Sequence, residues 1–153
     1  MSISKEIKKI KIGLKKVVII FNDDDKLEIS PNTYTEYNLF PKKQLSKSQI
    51  KEIKSRNEIE QYNSYALKLL SAKAYSENAL RDKLVKKGAN EDQIEAVIKL
   101  LIKYQLLDDS NVIKEYLEYA DYKHYGYNRI KEDLIKKGIP LYKIEKIKYD
   151  DNR

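Results

Sequence analysis

The feature that most constrains the fold is an internal repeat. Residues 76–97 align with residues 126–147 without a gap, at an offset of 50, and seven of the 22 positions are identical. The identical pairs are Asn78/Asn128, Leu84/Leu134, Lys86/Lys136, Lys87/Lys137, Gly88/Gly138, Ile94/Ile144 and Glu95/Glu145. A duplicated segment of this size indicates a supersecondary unit that packs against its own copy, because one unit cannot bury all its apolar faces alone.

Each copy has the apolar spacing of α-helices. Ser76 and Asn90 are predicted N-caps, and Gly88 is predicted to end the helix between them in a left-handed conformation. Apolar residues recur three or four apart, which predicts three helices per copy. They include Leu80, Leu84, Val85, Ile94, Val97, Ile98 and Leu101 in the first copy, and Val112, Tyr116, Ala120, Ile130, Leu134, Ile135, Ile144 and Ile147 in the second.

The first thirty residues have the pattern of short strands. Ile10 and Ile12 alternate with lysines, residues 17–21 are a continuous apolar run, and residues 26–29 alternate again. The segment Asn22–Asp25 is a predicted turn. Three strands in a meander are therefore expected, followed by a short helix that Ser30 caps.

These patterns predict a mainly α chain, with tandem three-helix repeats in two copies and a small N-terminal β-meander extension. The predicted domains are residues 1–60 for the meander and a linking helix, 61–107 for the first repeat and 108–150 for the second. Stacked repeats present long surfaces, which suit filaments, nucleic acids or other proteins better than small substrates. A plain scaffold is the alternative interpretation.

Composition narrows the possible partners. The 153 residues have a net charge of +7 and no cysteine, so disulfides and cysteine-based metal or nucleophile sites are excluded. No apolar run reaches the length of a membrane span or a signal peptide, and a soluble cytoplasmic protein is expected. The basic charge favours an acidic partner. Because lysines far outnumber arginines, nucleic acid would be contacted through its phosphates rather than its bases.

No residue set indicates catalysis. His124 is the only histidine, so a Ser/His/Asp triad has little support. Asp108 and Asp109 precede a predicted helix and are best explained as caps. The segment Asp23–Asp25 fits a turn and lacks calcium-loop spacing. We therefore expect no enzyme activity, no metal and no cofactor.

The candidate binding residues are basic, and the lysines among them recur in both copies as Lys73/Lys123, Lys86/Lys136 and Lys87/Lys137. They are Lys73, Arg81, Lys86, Lys87, Lys123, Arg129, Lys136 and Lys137, with Tyr75 and Tyr125 as candidates for stacking on bases. A stripe of lysines facing phosphate or an acidic protein is one interpretation. The other is that the lysines complement helix C-termini and the tyrosines fill the edges of the core. The sequence leaves both open.

At these residues the chain resembles the RecX family. The resemblance rests on Ala66-Leu67, Ser76-Glu77, the segments 84–88, 94–101 and 106–109, and the second-copy positions Gly126, Arg129-Ile130, Leu134 and Gly138-Ile139. It covers about residues 6–148, and the N-terminal strands resemble an extension found on members from low-GC Gram-positive bacteria.

The resemblance implies a regulator of the recombinase RecA. Such a protein would bind the RecA–DNA filament, limit its activity in recombination and DNA repair, and contact single- or double-stranded DNA through phosphates. The alternative is a general nucleic-acid-binding helical repeat that is independent of RecA. Family members usually carry three repeats, whereas two fit here, so we expect part of the regulatory surface to be absent.

Overall fold

In a computed structural model, residues 4–147 are described. The chain divides into two compact units between Gln61 and Tyr62. This division falls inside one continuous helix, α2 (Lys47–Ala72). The predicted linking helix and the predicted first helix of the first repeat are therefore a single element, and the predicted boundary between residues 60 and 61 lies in mid-helix.

The N-terminal unit contains a four-stranded antiparallel sheet. Its elements are β1 (Ser4–Ile12), β2 (Val17–Phe21), β3 (Lys26–Ile29), α1 (Pro31–Glu36) and β4 (Gln44–Ser46). The strand order is β3-β2-β1-β4, so the predicted meander is present and a fourth strand pairs with the other edge of β1. The sequence did not indicate β4, because a three-residue strand with one apolar residue has no periodicity.

Buried positions alternate with more exposed positions along β2 and β3 of this sheet. Val17, Ile19 and Phe21 of β2 are buried, as are Leu27 and Ile29 of β3, and these residues form one core. The core also takes in Ile7, Leu39, Leu45 and Ile53. The predicted turn at 22–25 is present, and Asp23 Oδ1 accepts a hydrogen bond from the Asp25 N–H at 3.1 Å.

The helical caps agree with the sequence pattern. Ser30 caps α1, and its Oγ accepts a hydrogen bond from the Thr33 N–H at 3.1 Å. Ser46 and Gln49 form both hydrogen bonds of a capping box at the start of α2. Asn90 and Gln93 form another at the start of the fourth helix. Each cap satisfies N–H groups that the helix itself leaves unpaired.

In the described part of the C-terminal unit, every regular element is a helix. After the end of α2 come α3 (Glu77–Lys87), α4 (Glu91–Lys103), α5 (Asp109–Tyr122), α6 (Tyr127–Lys136) and α7 (Leu141–Glu145). The offset of 50 superposes α3 on α6 and the start of α4 on α7, which confirms a mainly α fold with two copies of a three-helix repeat. The end of the predicted second repeat, residues 148–150, lies outside the described residues.

Equivalent positions in the two copies form equivalent parts of the core. All six members of three aligned pairs are buried, and these pairs are Leu80/Ile130, Leu84/Leu134 and Ile94/Ile144. Fully burying such a side chain contributes roughly 1.5–3 kcal/mol. The repeated apolar spacing therefore encodes the same interior twice.

Two aligned glycines end equivalent helices but have different surroundings. Gly88 and Gly138 both have positive φ, at 106° and 90°. A Cβ at Gly88 would meet only the Tyr62 hydroxyl, at 3.7 Å. A Cβ at Gly138 would lie 2.7 Å from Ser76 Oγ, which is closer than carbon and oxygen tolerate.

Replacing each glycine with alanine separates backbone strain from crowding. We expect Gly88→Ala to lower the free energy of unfolding by about 1 kcal/mol, because alanine disfavours the left-handed conformation. Gly138→Ala adds the collision with Ser76, and we expect a loss of about 3 kcal/mol. Urea denaturation followed by circular dichroism measures both, and equal losses would contradict the close contact at Gly138.

Candidate partner-binding surface

The N-terminus of α3 meets the C-terminus of α6. Ser76 is 1 % exposed, and its Oγ donates a hydrogen bond to the Lys137 carbonyl at 2.6 Å while accepting one from the Ala79 N–H at 3.0 Å. Asn78 Nδ2 donates to the Gly138 carbonyl at 2.9 Å. The two helix ends have opposite partial charges, so this contact is also electrostatically favourable. We call these residues, with Asp109, the repeat junction.

A buried carboxylate extends the repeat junction. Asp109 Oδ1 accepts a hydrogen bond from the Glu77 N–H at 2.8 Å, and its Oδ2 lies 2.8 Å from Lys143 Nζ. The Asp109 side chain is 3 % exposed. Asp109 raises the pKa of Lys143, chiefly through this hydrogen bond. One side chain therefore ties α5 to α3 and to α7. The sequence suggested only a cap for Asp109, and the actual N-cap is Asp108, whose carboxylate accepts from the Ser110 N–H.

The repeat junction brings predicted binding residues of both copies together. Lys73 and Tyr75 lie just before Ser76, while Lys136 and Lys137 end α6, where the Lys137 carbonyl bonds to Ser76. We call these four residues the junction cluster. Local sequence patterns could not predict this cluster, because Ser76 and Lys137 are 61 residues apart.

Two more groups of predicted residues lie at the far ends of the same helices. Lys86 and Lys87 end α3, which has 11 residues and is therefore about 16 Å long. Lys123 and Tyr125 precede α6, which has 10 residues and is about 15 Å long. Because α6 ends where α3 begins, the chain forms a series of three basic clusters, with the junction cluster in the middle.

Most of these lysines are exposed and lie near tyrosine rings. Lys73 Nζ is 4.9 Å from the centre of the Tyr75 ring, and Lys87 Nζ is 4.9 Å from that of Tyr65. Lys137 Nζ lies 5.7 Å from the Tyr116 ring. Such cation–π contacts contribute about 0.5–1 kcal/mol at exposed sites and orient the ammonium groups without neutralising them.

The two predicted arginines are engaged within the chain. Arg81 forms ion pairs with Glu77 at 3.0 Å and with Glu95. Arg129 forms an ion pair with Asp133 at 3.0 Å, and its guanidinium lies 4.4 Å from the centre of the Tyr125 ring. Spacings of i, i+4 for Glu77/Arg81 and Arg129/Asp133 are the sequence signals for these pairs.

The stacking candidates are both half-buried. The ring of Tyr125 packs edge-on against Tyr119, with ring centres 6.0 Å apart, and Arg129 covers it. A hydrogen bond with Tyr119 raises the pKa of Tyr125. Tyr75 lines a cleft of about 320 Å³ that also holds Lys73, Asp108, Asn111 and Glu115. Stacking on a base by either ring stays a prediction.

Two exposed apolar residues lie next to the lysines, and the sequence did not indicate that they are on the surface. Val85 is 59 % exposed and Ile135 is 50 % exposed, at equivalent positions in the two copies. The sequence identified them only as apolar helix positions, and the structure exposes them because Leu84 and Leu134 fill the interior. Each copy thus presents one apolar side chain next to two lysines.

Neither metal-binding groups nor a membrane span emerge from the described residues. Residues 4–147 contain no cluster of His, Cys, Asp and Glu suited to a metal ion. His124 is exposed, with φ of 59°, in the connection between α5 and α6. Within the same range, each helix is too short or too polar to cross a membrane.

The fold and this surface define a protein of tandem three-helix repeats preceded by a small sheet. The family model "RecX, first three-helix domain" matches residues 64–101. A crystal structure of regulatory protein RecX has the same fold, with a TM-score of 0.73 over 92 % of this chain and 71 % of that chain, at 22 % identity. The chain is similar to RecX-family proteins over most of its length, and the resemblance inferred from its motifs is confirmed.

Relatives named regulatory protein RecX match at moderate identity. The protein of Lactococcus lactis is 32 % identical over 78 % of this chain and 45 % of its own length. That of Clostridium tetani is 30 % identical over 82 % and 57 %, and that of Chlorobium limicola is 37 % identical over 50 % and 49 %. The chain spans about half the length of the curated relatives it matches.

The hydrogen-bonded carboxylate of Asp133 lies next to this surface and should make the stability of the fold depend on pH. Tyr116 OH donates to Asp133 at 2.5 Å and Arg129 Nε donates at 3.0 Å, and these bonds lower the Asp133 pKa below its usual 3.8. A carboxyl group whose pKa is lower in the folded than in the unfolded protein stabilises the fold at pH values above its unfolded pKa. This stabilisation is lost as the pH falls through its folded pKa.

We therefore expect wild type to be more stable than Asp133→Asn at neutral pH, with the difference shrinking below pH 3.8. Tyr116→Phe, which removes the main donor, should weaken the same pH dependence. Urea unfolding across this pH range measures the difference. A gap between wild type and Asp133→Asn that is the same in acid as at neutral pH would contradict the assignment.

Proposed function

We propose that the protein regulates the recombinase RecA by binding the RecA–DNA filament through the series of basic clusters. The single observation that carries the proposal is the repetition of one surface feature: an exposed apolar residue followed by two lysines, at the end of α3 and again at the end of α6. A filament repeats its own surface, so a partner with a repeated surface gains affinity from simultaneous contacts. The RecX resemblance supports RecA as that partner.

The proposed action is binding without bond-making. Lys86 and Lys136 are exposed and form no ion pair with another described residue, so both are available to acidic side chains or phosphates. Val85 and Ile135 add apolar contacts, which the centre of a protein interface favours over charge alone. The proposal includes no cofactor, metal or catalytic step. It also includes a cytoplasmic location for the protein.

A second candidate function is nucleic-acid binding without RecA. The observation that favours it is the pairing of lysines with tyrosine rings, at Lys73/Tyr75 and Lys87/Tyr65 among others. Phosphate contact by lysine makes affinity fall steeply with salt, by a slope of roughly −0.7 per contacted phosphate on single strands. A salt titration on single-stranded DNA therefore distinguishes this function from the first.

A charge-reversal pair tests the main proposal. The variant Lys86→Glu/Lys136→Glu changes equivalent exposed positions beside Val85 and Ile135, and we expect the concentration needed to inhibit RecA ATPase on single-stranded DNA to rise about tenfold or more. Lys99→Glu/Lys114→Glu is the matched control, because both lysines are exposed and lie outside the three clusters. This control should inhibit like wild type.

Three outcomes are informative. No effect of excess wild-type protein on the ATPase would refute RecA regulation by this chain. Equal loss in both double variants would show a dependence on net charge rather than on the clusters. DNA binding that is unchanged by RecA, with a strong salt slope, would favour the second function.

A further inference from the structure

The N-terminal unit contains a basic cleft that the proposed function does not use. Its volume is about 650 Å³, and it lies between the sheet and the first two turns of α2. Lys5 and Lys26 approach it from β1 and β3, and Lys47, Lys51 and Lys54 approach it from α2. We call it the lysine cleft.

The three α2 lysines share one face of the helix. Their spacing is i, i+4 and i+7, which places them along about 10 Å of the helix axis. The start of α2 also has the positive end of the helix dipole. These contributions have the same sign, so the cleft attracts an anion along its whole length.

Most of this charge is uncompensated. Lys5 is paired, with Asp23 at 2.9 Å and with Asp25. Lys26, Lys47, Lys51 and Lys54 form no hydrogen bond or ion pair with any other described residue. Four like charges around one cleft repel each other, which costs stability unless a ligand neutralises them.

The floor of the cleft favours a peptide over a nucleic acid. Phe21 is 2 % exposed, so its ring has no open face on which a base can stack. Leu27 is buried and Ile50 is half-buried, which leaves an aliphatic floor. Asp25 lines the cleft and can accept hydrogen bonds from the backbone N–H groups of a peptide, which a phosphodiester backbone lacks.

We propose that the lysine cleft binds an acidic peptide segment of a partner protein, with carboxylates facing Lys47, Lys51 and Lys54 and an apolar side chain entering above Ile50. An extended chain rises about 3.3 Å per residue, so three or four residues match the 10 Å spanned by the lysines. This proposal does not depend on RecA regulation, because it concerns a different unit of the chain and a different ligand.

Fluorescence anisotropy of the full chain tests this proposal. The probe is a short fluorescein-labelled peptide in which glutamate alternates with leucine. We expect Lys47→Glu/Lys51→Glu/Lys54→Glu to weaken its binding by about tenfold or more, since each exposed ion pair contributes up to about 1 kcal/mol. The control is Lys9→Glu/Lys11→Glu/Lys15→Glu, which makes the same charge change at exposed positions away from the cleft. It should retain most of the wild-type affinity.

Two further probes decide the ligand class. The same peptide with glutamine in place of glutamate should bind weakly, and an oligothymidylate of equal charge should be unaffected by the cleft variant. Absence of peptide binding, equal loss in the two triple variants, or a loss confined to the oligothymidylate would each overturn the proposal. Circular dichroism of the variants verifies that they fold.

Discussion

The contact between the two helix ends at the repeat junction organises the C-terminal unit. The hydroxyl of Ser76 serves two helices at once, because it caps α3 and donates to the last turn of α6. The positive end of one helix dipole thereby meets the negative end of the other in a buried site. Only glycine fits at 138, since a Cβ there would collide with Ser76. The junction cluster lies at this contact, where α6 ends and α3 begins.

The repeat is a duplication of the interior more than of the surface contacts. Buried pairs such as Leu84/Leu134 are equivalent, whereas Ser76 has Gly126 as its counterpart, and Gly126 makes no side-chain cap. Lysines end the equivalent helices in both copies, and Val85 and Ile135 are exposed beside them. The exposed apolar residue beside two lysines, present in both copies, is the feature on which the proposed binding to a repeating partner rests.

Local sequence signals predicted the helices, the strands of the meander and the caps. They could not predict contacts between residues that are far apart in the chain. The caps at Ser30, Ser76 and Asn90 were predictable, because each depends on atoms within three residues. The bond between Ser76 and Lys137 was not, because it depends on how the repeats pack. The spacing of Val85 predicted a helix but not which side of that helix is buried, and the structure buries Leu84 while Val85 is exposed. Arg81 was identified by its charge, while its ion pair with Glu95 needed the packing of α3 on α4.

Hydrogen–deuterium exchange of the chain, with and without RecA filaments on single-stranded DNA, tests most directly whether the three basic clusters contact the filament. If the clusters bind the filament, filaments will slow exchange in the connection between α2 and α3, at the end of α3, and around the two ends of α6. The same single-stranded DNA without RecA will leave these segments unchanged. Protection confined to other segments, or equal protection by DNA alone, would contradict this binding.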